Sequence, residues 1–297
     1  MSRDDDPKWV GPILVVGFLG LSIVWVVINI FLTVIGLLCY ALATGINIFG
    51  LEQSPEELMG PIGVSVSGIL QTSGLVGVAV GLVALVPLLT MAAKTKDQRP
   101  FWERIKTAFA LKNGLPSTYV IALLGGLSVG MFPAWLAEQM RAMFPNLGFG
   151  SLELITNLLN TDDVIGKAAM MVTVVIMAPL CEELIFRGFL WDAAARFMPR
   201  WGVWLTTSVL FAVYHMDPIQ GTAVLFTGLF IGWLRYIGGS VWPAVVAHFV
   251  NNGLAASFAL IVGTDDSTPM PIWLALVGAS FTICLCCIGW ATGRKTQ

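Results

Sequence analysis

Charge is scarce in this sequence: 11% of its 297 residues are charged, against about 25% in an average soluble domain. With 57% hydrophobic residues, that scarcity argues against a cytosolic enzyme. The basic residues form no stripe, which argues against nucleic acid as a partner. The net charge of −2 points to no other. The five cysteines, Cys39, Cys181, Cys284, Cys286 and Cys287, all fall in apolar runs. They lack metal-finger spacing and read as small, reduced hydrophobes. Histidine is rarer still, with only His215 and His248, so the metalloprotease signature His-Glu-x-x-His is absent. There is no internal repeat.

What the sequence does have is long apolar runs, several of at least 18 residues, the mark of an all-α polytopic membrane protein. After a polar, acidic tail (residues 1–12), the run at 13–43 is too long for a signal-peptide core and reads as an uncleaved first span. About eight transmembrane helices are expected, over residues 13–43, 62–93, 118–140, 168–192, 201–215, 222–236, 241–262 and 272–292. The fourth to seventh are joined by short loops and form one antiparallel unit. The chain therefore divides into the tail, N-terminal helices and loops (13–167), a helical core (168–262), and a final loop, helix and tail (263–297). In the basic segment 94–112, Phe101, Ile105 and Phe109 recur every four residues beside Trp102. That spacing suits a short helix lying on the membrane surface, and a polar loop is the alternative. Residues 152–159 suit a short interfacial helix. With the N-terminus inside, fourteen of the sixteen basic residues fall on the inner side and only Arg141 and Lys167 outside. The positive-inside rule thus places both termini in the cytoplasm. A prokaryotic cell membrane is the expected location.

Within the fourth span lies Cys181-Glu182-Glu183-Leu184-Ile185-Phe186-Arg187. A carboxylate at membrane depth costs roughly 2.5–3.5 kcal/mol on insertion scales, and ionisable groups there are functional by default. Adjacent helical residues point about 100° apart, so in a regular helix the two glutamates cannot face one point. Arg187 follows Glu183 by four residues, the favourable order for a pair, which leaves Glu182 freer to act. On the fifth span Phe211 and His215 share a face, and on the seventh His248 and Asn252 do. Asn251 points elsewhere and is the weaker candidate. The residues alone leave two hydrolytic chemistries open. Either a carboxylate and a histidine activate water while the other histidine and the asparagine stabilise an oxyanion. Or Glu182, His215 and His248 bind Zn²⁺ in an open three-ligand site.

These three blocks, Glu182-Glu183-x-x-x-Arg187, Phe211-x-x-x-His215 and His248-x-x-x-Asn252, resemble the pattern of the CPBP intramembrane proteases. That family, also called Abi proteins, includes the CAAX prenyl endopeptidases. The resemblance covers residues 168–253. It implies an intramembrane endopeptidase in which Glu182 and His215 activate the water, His248 and Asn252 form the oxyanion site, and Glu183 with Arg187 supports it. The family has been named both metalloprotease and glutamate protease. The resemblance favours the metal-free account, with no cofactor, and a peptide or membrane-associated protein as substrate. A membrane scaffold or bacteriocin-immunity protein on the same fold is the main rival. A proton-carrying transporter is the next.

Overall fold

The computed structural model describes residues 9–20, 99–147, 164–262 and 269–293, with positions 23, 27, 31 and 35. Every regular element among them is helical. In chain order these are α1 (Val10–Gly20), α2 (Phe101–Ala108), α3 (Pro116–Ser128) and α4 (Met131–Met143). There follow α5, a continuous helical run over residues 164–194, α6 (Arg200–Tyr214), α7 (Pro218–Gly238), α8 (Trp242–Val262) and α9 (Ile272–Gly293). Four stretches are long and apolar enough to cross a membrane: Pro116–Met143, Pro218–Gly238, Trp242–Ile261 and Ile272–Thr292. They match the expected third, sixth, seventh and eighth spans and support an integral membrane protein. The expected fourth and fifth spans coincide with α5 and α6. The second span, the remainder of the first beyond residue 20 apart from positions 23, 27, 31 and 35, and the interfacial helix at 152–159 lie outside the described residues.

Local sequence sets the helix ends. Asp217 caps α7 by accepting from the backbone N–H groups of Ile219 (2.9 Å) and Gln220 (3.0 Å), ahead of Pro218 at the first helical position, where its missing N–H costs nothing. Gly239, at φ 65°, closes the same helix. α6 lies along α7, α3 lies along α8, and α9 packs against α3 and α4. Gly126 lets α3 and α8 approach closely: a Cβ there would sit 2.7 Å from the Ala247 carbonyl oxygen, the small-residue contact usual in membranes.

The segment 101–109 does form a helix, but its apolar stripe faces protein. Ile105 and Phe109 are buried with Ile185, Phe186, Phe189 and Leu190. The reason is the gap over Gly188, where a Cβ would come 3.1 Å from the Phe109 Cα. Trp102 stays exposed, with the Lys106 ammonium 5.8 Å from its ring centre. Beyond α2, Ser240 Oγ donates to the Lys112 carbonyl (2.6 Å) and Trp242 Nε1 to that of Leu111 (3.3 Å), tying the segment to the start of α8.

Candidate active site

α5 is not a uniform helix. Two wider π turns, Thr173–Met177 and Leu184–Leu190, flank the α-helical stretch Ala178–Glu183 that carries the carboxylates. Such turns concentrate at functional sites. In the first, the Ala178 N–H reaches back to the Thr173 carbonyl. The next donor along would belong to Pro179, which has no N–H. The Val174 carbonyl thus loses both helical partners, and Asn252 Nδ2 donates to it from α8 at 3.0 Å. In the second turn the Arg187 carbonyl accepts from Arg235 Nε of α7 at 2.9 Å.

Glu183 and Arg187 are fully buried. Glu183 Oε1 accepts from Arg187 Nη1 (3.1 Å) and from His248 Nδ1 (2.8 Å), the ion pair anticipated from the four-residue spacing. Arg187 Nη2 also donates to the Gly228 carbonyl (2.9 Å), and its guanidinium lies 4.4 Å over the Phe211 ring. Ser208 Oγ donates to the same Gly228 oxygen at 3.0 Å. Glu182 keeps a side chain 12% exposed, with Oε2 3.8 Å from His248 Nε2, outside direct hydrogen-bond reach. Both carboxylates therefore meet one imidazole. The divergence expected of adjacent residues is bridged because the ring offers a nitrogen to each.

His215 ends α6, and its Nδ1 lies 2.9 Å from the Phe211 carbonyl oxygen. A carbonyl only accepts, so this contact places a proton on Nδ1, and in the neutral tautomer the lone pair is then on Nε2. Met216 then takes φ 53°, a left-handed conformation costing a side-chain-bearing residue roughly 1–2 kcal/mol, and turns the chain sharply toward Asp217. The Phe211 ring stands edge-on to both imidazoles, 5.1 Å from His215 and 5.7 Å from His248. It also underlies Arg187, so one aromatic spaces every block of the set. The structure thus joins Glu183, Arg187 and His248 directly, sets Glu182 beside them, and links His215 through Phe211. Asn252 sits one turn beyond His248, against the first π turn.

Three contributors escaped the sequence reading, while Phe211, read there only as sharing a face with His215, acts as the spacer. Arg235 and Ser208 serve buried backbone carbonyls of α5 and α7. Tyr214 buries a hydroxyl that pairs with no described residue, its ring 5.5 Å from Phe186. Pro179 inside a helical run was the one visible signal that backbone groups would need outside partners. Among the described residues, no three of the His, Cys, Asp and Glu side chains are grouped to hold a metal ion.

Residues 165–254 match the family model of Rce1-like type II CAAX prenyl endopeptidases. That segment spans all three blocks and agrees with the family resemblance they carry. The match supports an intramembrane endopeptidase with a peptide or protein substrate in the membrane. No curated protein and no solved structure gives a match.

Proposed function

We propose that the chain is an intramembrane endopeptidase that cleaves a peptide bond by direct attack of water, with Glu182, His215, His248 and Asn252 as its catalytic residues. The observation that carries this reading is the orientation of His248. Its Nδ1 is held by the buried Glu183, whose charge Arg187 balances, and its Nε2 faces Glu182.

Water placed between Glu182 and His215 gives up a proton to this pair as its oxygen bonds the carbonyl carbon. His215 Nε2 has the lone pair for that task. The carbonyl π electrons move onto oxygen, and the oxyanion takes hydrogen bonds from His248 and from the Asn252 N–H not used by Val174. For His248 to donate through Nε2 it must carry two protons, and the flanking carboxylates are the counter-charges for that form. Collapse of the intermediate breaks the C–N bond, and the stored proton passes to the leaving amine. No acyl-enzyme forms and no step runs through a metal. An apolar groove of about 350 Å³, lined by Val209, Val213, Met216 and Leu225, adjoins the His215 end of α6. It supports a substrate segment of apolar character.

The test compares membrane peptides in cells carrying wild type or Glu182→Gln. Cleavage should vanish in the variant while the protein stays inserted, and equal cleavage would leave only the scaffold reading. Exhaustive o-phenanthroline treatment of purified protein should leave activity intact. Loss restored by stoichiometric Zn²⁺ would recast Glu182, His215 and His248 as ligands. We also propose eight spans with both termini cytoplasmic in a prokaryotic membrane. A cysteine probe at Thr296 should then label only from the inner side of sealed vesicles.

A further inference from the structure

We infer that Asn251 is a positioning residue for the oxyanion site, seated by Gly130 at the break between α3 and α4. The inference rests on the protease reading above and extends it to helices outside the matched family segment. The argument begins at the Val174 carbonyl, which can only accept. It fixes the Asn252 amide with Nδ2 toward α5, at 3.0 Å. Asn252 Oδ1 must then turn the other way, where it meets Asn251 Nδ2 at 3.3 Å. That contact fixes the second amide in turn, with Asn251 Oδ1 directed at Gly130. A Cβ on residue 130 would lie 2.5 Å from that oxygen, closer than side chains tolerate. Gly130 has φ −75°, which any residue adopts, so its lack of a side chain serves space and not backbone freedom.

The outcome is a chain of contacts from Gly130 through Asn251 to Asn252 and Val174. Asn251 supplies no group to the reacting atoms. It holds Asn252 against rotation, so that the amide proton left over from Val174 keeps one direction. An oxyanion donor works because it is fixed before charge develops, and the partners that orient metal ligands, worth about 10–100-fold in activity, set the scale expected for such a positioning contact.

The experiment uses purified full-length protein in detergent with a quenched fluorescent peptide library carrying an apolar segment. Asn251→Ala should lower kcat about tenfold with KM unchanged. Gly130→Ala, which removes no polar group, should reproduce that loss by displacing Asn251. In an Asn252→Ala background neither change should lower kcat further, whereas a merely structural role would add its effect there. Unchanged kcat in both single variants, with Glu182-dependent cleavage intact in wild type, overturns the inference alone. Absence of any Glu182-dependent cleavage overturns the protease reading, and this assignment with it.

Discussion

α5 and α9 are both long apolar helical runs, yet they solve opposite problems. α9 is regular over its 22 residues and leaves Trp273, Leu276, Val277 and Ile283 exposed. A lipid-facing backbone has no outside donors, so each carbonyl must be satisfied within the helix. α5 is largely buried from Cys181 to Ala194, packs against α6 and α8, and breaks its ladder twice. At the first break Asn252 supplies the donor that the Val174 carbonyl lacks, and at the second Arg235 donates to the Arg187 carbonyl. Irregularity in a membrane helix is thus licensed by its neighbours, and it falls where α5 must present two carboxylates to one histidine.

The largest expected effect comes from removing the charge that holds α5 together. Arg187→Ala leaves Glu183 buried against His248 alone and strips Gly228 of a donor. Destabilisation should be about 3–5 kcal/mol, read as a lowered thermal midpoint in detergent and less inserted protein. A variant as stable as wild type would show that enclosure of α5 does not depend on this pair.

A middling effect is expected at the first π turn. Asn252→Ala deprives the Val174 carbonyl of its substitute donor and should cost about 1–3 kcal/mol, apart from its 10²–10³-fold effect on turnover as an oxyanion donor. Pro179→Ala restores a backbone N–H one turn away. Combined with Asn252→Ala, it should recover much of the lost stability, though not the activity. Additive losses in the double variant would break the link between the proline and the asparagine.

The smallest effect belongs to α9. Ile283, 63% exposed, contributes no partner to the site, and Ile283→Ala should stay within about 0.5 kcal/mol of wild type with full turnover. A loss comparable to that at Asn252 would erase the distinction between the two helices.

Much of this was legible in the residues. Hydropathy located α5 to α9 within a few positions and read α3 and α4 as one span, and the four-residue spacing named the Glu183–Arg187 pair. The shared face of His248 and Asn252 also held. Spacing along one helix could not reveal which glutamate His248 would touch, because that depends on how α5 and α8 rotate against each other. Nor could it show Asn252 bonding a backbone oxygen, since the vacancy arises from π geometry that periodicity does not encode. The α2 stripe suited lipid and protein equally. Only the gap above Gly188, on a helix far along the chain, decided between them. Asn251 looked the weaker asparagine because it points away from His248, and that orientation is what brings it to Gly130.

The order in which Glu183 meets its two partners bears on biogenesis. Arg187 follows by four residues and His248 by sixty-five. As α5 leaves the ribosome and enters the bilayer, the glutamate already travels with a cation on its own helix, so the segment partitions as a near-neutral unit. The imidazole arrives only with α8, and Asn252 reaches the Val174 carbonyl seventy-eight residues after it was made. A nascent chain therefore carries its carboxylates through the translocon before it owns the groups that arm them. The proposed hydrolytic centre is complete only when the seventh expected span has docked.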